Sequence, residues 1–126
     1  MIFWLTGNTG AGKTYTAKVL KEYFLKDAIT LDGDDLRAIW PGLKFTMDDR
    51  AEQNCRTARL AKYLHDQGND VIVAVICPTE SLRKEVRDIC NCEFIYIEGG
   101  LEGIDFPFET PKGQILTISS KGTKSL

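Results

Sequence analysis

The run "IFWLTGNTGAGKTYT" near the start constrains the fold more than any other part of the chain. A short apolar, strand-like stretch leads directly into residues 7–14, GNTGAGKT, which fit G-x-x-x-x-G-K-[ST] at every fixed position. Glycines there let the backbone wrap closely, so that successive N–H groups point inward at phosphate oxygens. The helix that follows adds its positive N-terminal end. A lysine in this place reaches the β- and γ-phosphates, and the adjoining hydroxyl ligates Mg²⁺. Gly7, Asn8, Thr9, Gly10, Ala11, Gly12, Lys13, Thr14 and Tyr15 are therefore the expected nucleotide-binding residues, with ATP and Mg²⁺ as the expected ligands. Lys13 also counts among the catalytic groups. The motif is silent about where the phosphate goes.

The rest of the chain alternates strand and helix. Residues 2–5 read as a buried strand and residues 13–26 as a helix, with Ala17, Leu20 and Phe24 spaced for one apolar face. A second strand over residues 29–31 ends in LDGDD, where Asp34 or Asp35 is placed to cap a short helix that must stop before Pro41. Thr46 and Asp49 resemble a capping box for a helix reaching about residue 67, which Gly68 closes. The β-branched run DVIVAVI predicts a central strand buried on both faces, broken by Pro78. A helix over about residues 79–90 follows, then the strands EFIYI and QILTI. This alternation predicts an α/β fold: a parallel sheet of about five strands with helices on both faces, of the P-loop type. One domain over residues 1–118 is expected, with 119–126 as a flexible tail.

Composition narrows the class of partner. The 126 residues are 43% hydrophobic and 27% charged, ordinary for a soluble globular chain. A net charge of −2 argues against a general nucleic-acid binder while leaving room for a local basic pocket. No apolar run reaches the roughly 20 residues of a membrane span, and no signal segment is expected before the first strand. A cytoplasmic protein acting on small-molecule nucleotides is the expectation. Cys55, Cys77, Cys90 and Cys92 lack the paired spacing of a zinc site and are expected as reduced core thiols.

Phosphoryl transfer needs a carboxylate to hold magnesium or to take a proton from the attacking hydroxyl. The strand VIVAVICP ends without one, so LDGDD must supply it: Asp32 and Asp34, with Gly33 between them giving freedom to swing toward the sheet edge. On the helix starting near Asp48, Arg50, Gln53 and Asn54 share a face in the first turns. An anion there would also feel the helix dipole. Arg56, Arg59, Lys62 and His65 are expected to face solvent.

Four segments in order, LDGDDLR, LKFTMDDRAEQ, VIVAVICPTESLRKEVR and GIDFPFETP, resemble the adenylylsulfate (APS) kinases over nearly all of residues 1–118. That family carries LDGDN-[IL]-R, LGFS…DR-x-EN-x-RR, V-I-x-A-x-I-S-P and GIDxPYExP in the same places. The resemblance implies that the γ-phosphoryl of ATP goes to the ribose 3′-hydroxyl of adenosine 5′-phosphosulfate. It implies Asp34 as the base at that hydroxyl, Asp32 with Thr14 at the metal, and Arg37 and Arg50 on the phosphosulfate. Phe45 would stack on the adenine, and Gln53, Ile76, Cys77 and Pro78 would line the same pocket.

The chain departs from the family at Asp35 for Asn, Lys44 for Gly, Gln53 for Asn, Cys55 for Arg, Val75 for Phe and Cys77 for Ser. The family also has a helix and a basic lid after the fourth strand, whereas residues 98–111 here contain no Lys or Arg. Phe106 and Phe108 either replace an aromatic clamp or cover the core that the missing helix exposes. Three functions remain open at this point. One is a minimal APS kinase, with cations from this chain or from a homodimer partner in place of the lid. Another is a P-loop kinase of the same lineage with a different acceptor, whether a nucleoside, a nucleotide, a modified base or a nucleic-acid end. The third is a nucleotide-binding module without turnover.

Overall fold

The computed structural model describes residues 1–8, 10–100, 108–113 and 115–119. Its elements run β1 (Ile2–Thr6), α1 (Lys13–Tyr23), β2 (Ile29–Asp32), α2 (Gly33–Ile39), α3 (Met47–Asp66), β3 (Val71–Ala74), α4 (Glu80–Cys90), β4 (Glu93–Glu98) and β5 (Leu116–Ser119). All strand pairings are parallel, in the order β2-β3-β1-β4-β5. This is the expected fold class.

The strand sequences explain the layering. In β3, Val71 and Val73 point into a core shared with α3 and α4, where Ala58, Ala61, Leu82 and Val86 meet them. Ile72 and Ala74 point the other way, onto Ala17 of α1. Alternation along a strand feeds both layers at once, so a central strand must be apolar throughout. Cys55, Cys77, Cys90 and Cys92 are all buried and unbridged within the first layer. Burial is the first cause that pushes the Cys55 and Cys77 thiols above their usual range.

β3 is shorter than the apolar run that encodes it. Its backbone ladder stops at Ala74, yet the chain continues beside β1, held by side chains instead. The Trp4 indole Nε1 donates to the Val75 carbonyl (3.1 Å) and the Thr6 hydroxyl to the Cys77 carbonyl (3.1 Å). These tethers fix the strand end that becomes one wall of the site.

Three further details differ from the sequence expectation. α1 ends at Tyr23, because the Leu25 amide bonds back to the Leu20 carbonyl (2.9 Å) across five residues. That wider closing turn leaves Leu25 packed on the core while Phe24 is exposed. α2 is capped by Asp32 rather than by Asp34 or Asp35: Asp32 Oδ1 accepts from the Asp34 amide (3.0 Å). At α3, Thr46 caps the Asp49 amide (3.2 Å), but the Asp49 carboxylate accepts from Lys44 N (2.9 Å), so only half of the box forms.

The segment after β4 is tied down by a buried arginine. Arg83 of α4 is fully buried, pairs with Glu80 (2.7 Å), and donates to the carbonyls of Cys77 (2.6 Å) and Glu109. The Glu109 amide in turn donates to Pro78 O (2.7 Å). Phe108 stacks on Tyr96 of β4 at 5.9 Å and lies under the Arg83 guanidinium. For Phe108 the core-covering alternative is therefore the one realised; Phe106, with the rest of residues 101–107, lies outside the described residues. Ser119, assigned above to the tail, closes β5, and residues 120–126 are not described. No described helix is long and apolar enough to cross a membrane.

Candidate active site

A cleft of about 570 Å³ opens at the carboxyl ends of β1, β2 and β3. Ligands of open parallel sheets bind at this edge because helix N-termini and loop amides converge there. One wall is the phosphate loop. Gly12 caps α1 in the left-handed region (φ 100°), a conformation a side chain would resist. Gly7 is needed for a different reason: a Cβ on it would sit 2.6 Å from the Ile97 carbonyl of β4. Gly10, Gly12, Lys13, Thr14 and Tyr15 line the cleft, whereas Ala11 is buried in the core and Asn8 is buried beneath the loop. Thr9 lies outside the described residues.

Lys13 folds over the loop, its Nζ donating to the carbonyls of Gly7 (2.8 Å) and Asn8 (3.0 Å). Burial, opposed by Asp32 and reinforced by Arg50 and Arg37, brings its pKa down to about 8. The cation is thus only partly compensated, and an anionic phosphate is the group that restores it.

Thr14 joins the loop to the second acidic segment. Its hydroxyl donates to Asp32 Oδ2 (2.7 Å), while Asp32 Oδ1 caps α2. One carboxylate therefore serves two elements and cannot swing freely. Gly33 is helical here, and a Cβ on it would meet Arg37 Nη1 at 3.6 Å, Ala74 O at 3.7 Å and Val75 Cγ2 at 3.9 Å, all ordinary van der Waals contacts. The glycine is not what positions these acids; the capping bond is. Asp34 is exposed and forms an i,i+3 ion pair with Arg37.

Asp34, Arg37, Phe45, Arg50, Gln53 and Ile76 line the same cleft. The Arg37 guanidinium lies 5.1 Å from the Phe45 ring centre, and Arg50 Nε donates to the Phe45 carbonyl (3.0 Å). Gln53 Nε2 donates to Gly33 O (3.3 Å), bracing α3 against α2. Burial first, then Arg37, lowers the Arg50 pKa below its ordinary value. Cys77 and Pro78, expected in the acceptor pocket, are buried and are not among the residues that line this cleft; the Cys77 carbonyl is held by Thr6 and Arg83 and that of Pro78 by Glu109. Val75 and Asn54 line the cleft instead. The helical spacing Arg50–Gln53–Asn54 had already placed Asn54 on this face, but nothing in a single sequence singled it out.

The sheet order, loop and acidic second strand define a P-loop kinase fold. The family model for adenylylsulphate kinase matches residues 1–102, so the chain belongs to that family. An adenylyl-sulfate kinase of Myxococcus xanthus is 33% identical over 124 residues, covering 96% of this chain and 64% of its own length. The chain thus spans slightly less than two thirds of that relative. A cytidine diphosphoramidate kinase of Campylobacter jejuni is 38% identical over 104 residues, covering 77% of this chain and 59% of its own length. The Mycobacterium tuberculosis APS kinase CysC, solved in complex with AMPPNP and APS, superimposes with a TM-score of 0.85 at 27% identity. That match covers 97% of this chain and 89% of the other.

Proposed function

We propose that the chain is a kinase that moves the γ-phosphoryl of ATP onto the ribose 3′-hydroxyl of a nucleotide with an anionic 5′ substituent. Family membership puts adenosine 5′-phosphosulfate first among the acceptors. The observation that carries the reading is the Thr14–Asp32 hydrogen bond of 2.7 Å. It brings the phosphate loop and the acid-bearing segment, with Asp34 and Arg37, to one cleft.

The residues fit a magnesium ion that relies on substrate phosphates. Mg²⁺ is commonly held by one or two carboxylates plus phosphate oxygens and waters, and the Thr14 hydroxyl and Asp32 carboxylate offer such a half-set. Among the described residues no group of three or more His, Cys, Asp or Glu could hold a metal by itself. When bound, the ion would offset charge on the β- and γ-oxygens. The loop amides and Lys13 would hold the triphosphate. Asp34 would exchange its Arg37 partner for the acceptor hydroxyl and take its proton. As the hydroxyl oxygen bonds to the γ-phosphorus, the bond to the β–γ bridging oxygen breaks and ADP leaves. Arg37 and Arg50 would hold the 5′ substituent, and the exposed Phe45 ring would stack on the base.

Asp34→Ala tests this directly. Acceptor-dependent ADP formation should fall by at least about a hundredfold while ATP still binds. Turnover at the parental rate would remove Asp34 from the chemistry. The Campylobacter relative, named for cytidine diphosphoramidate, is as similar as those named for adenylyl sulfate. A second nucleotide acceptor is thus the competing reading within the same chemistry.

A further inference from the structure

Arg50 and Asn54 sit one helical turn apart on α3, and both line the cleft. Among the described residues, Arg50 Nη1 and Asn54 Oδ1 are the buried side-chain polar atoms without a hydrogen-bond partner. Asn54 is 1% exposed. The orientation of its amide is settled by chemistry: the other end donates to the Arg50 carbonyl (2.7 Å), which can only accept. The atom left over is therefore an oxygen. A buried amide oxygen without a donor is costly, and a ligand that brings a donor recovers that cost.

The surroundings say which part of a ligand arrives there. Arg50 and Arg37 are close enough to Lys13 to lower its pKa, so these three cations mark the region where anionic groups collect. Phe45, the proposed platform for a base, is exposed. Asn54 stands one turn further along α3 than Arg50, whose Nε reaches back to the Phe45 carbonyl (3.0 Å), so the arginine lies between the amide and the residue proposed to carry the base. A terminal sulfate brings only acceptor oxygens, which satisfy Arg50 Nη1 but confront Asn54 Oδ1 with like polarity. A terminal phosphoramidate brings an oxygen for the arginine and an N–H for the amide.

We propose that Asn54 is a specificity-determining residue of the acceptor site. It selects a nucleoside 5′-diphosphate-type acceptor whose terminal group carries an N–H donor, over one ending in sulfate. This rests on the kinase reading above and reverses the order of acceptors that family membership alone gives. No electron or proton balance changes, because the group transferred and the hydroxyl attacked are the same.

The test holds the nucleoside constant and varies the tail. Adenosine 5′-diphosphoramidate and adenosine 5′-phosphosulfate are compared as acceptors, by kcat/KM and by binding in the presence of AMPPNP. The parental chain should favour the amidate by at least about tenfold, the scale set by one unsatisfied buried group. Asn54→Leu should collapse that ratio toward one. Asn54→Asp, which keeps an acceptor oxygen in place, should retain or widen it, provided circular dichroism shows both variants folded. A parental ratio favouring phosphosulfate, or an equal loss for both tails in Asn54→Leu, overturns the proposal. So does an effect that moves with the base instead, seen by comparing adenosine with inosine phosphosulfates. The binding ratio is read without turnover, so failure of kinase activity and failure of tail selection give different results.

Discussion

Lys13 gives the sharpest quantitative test of the cleft. Its pKa falls from 10.5 to about 8, chiefly through burial. At about 1.4 kcal/mol per tenfold change, the folded protein holds the charged lysine at a cost of roughly 3 kcal/mol near neutral pH. The sign follows from proton counting. Between about pH 8 and pH 10.5 the unfolded chain binds more protons at this position, so stability without nucleotide rises with pH there, and the full cost is present below the window. Urea unfolding of the parental chain and Lys13→Met at about pH 7 and about pH 9.5 isolates the effect, since other titrating groups cancel in the difference. The parental chain should gain roughly 2 kcal/mol on the variant across that interval. Nucleotide should reverse the shift, so that binding near pH 8 takes up roughly half a proton, readable by calorimetry in buffers of different ionisation enthalpy. A difference between the two proteins that stays flat from neutral to alkaline pH would refute the burial argument.

Gly7→Ala should cost about 1–3 kcal/mol in urea unfolding and weaken ATP binding, because its Cβ meets the Ile97 carbonyl at 2.6 Å. Gly33→Ala, facing contacts of 3.6 Å and beyond, should change stability by less than about 1 kcal/mol. Asp32→Asn keeps an oxygen for the α2 cap but loses the charge beside Thr14. Its melting temperature should move little, while the Mg²⁺ dependence of ATP binding, followed by titration, weakens by at least about tenfold. Arg83→Leu removes a fully buried cation that holds two carbonyls, and should cost about 3–5 kcal/mol. Hydrogen exchange should show lost protection at the Glu109 amide.

The sequence made the fold legible where local chemistry determines it. The phosphate loop located Lys13, Thr14 and the start of α1, and the β-branched run located β3 between its neighbours. Gly68 marked the end of α3. What escaped was set by partners distant in sequence. Asp32 became the α2 cap because its backbone leaves β2 in an extended conformation just before the helix. The sequence suggested Asp34 or Asp35 for that role, since it shows an acid cluster but not where the strand ends. Arg83 reads as one more charge on an amphipathic helix; only the return of residues 108–112 shows why it is buried. Cys77 lay in a motif that suggested the pocket, yet two side chains hold its carbonyl in the core. The lost lid was visible as missing cations, while the role of Phe108 needed Tyr96 and Arg83 to be in place.

The most direct test of the central claim is ADP formation from Mg-ATP with a nucleotide acceptor and with its 3′-deoxy counterpart, using Lys13→Ala as the blank. The account predicts release that requires the acceptor and vanishes when the 3′-hydroxyl is removed. Equal release with the 3′-deoxy acceptor, or with no acceptor at all, would contradict phosphoryl transfer to that hydroxyl.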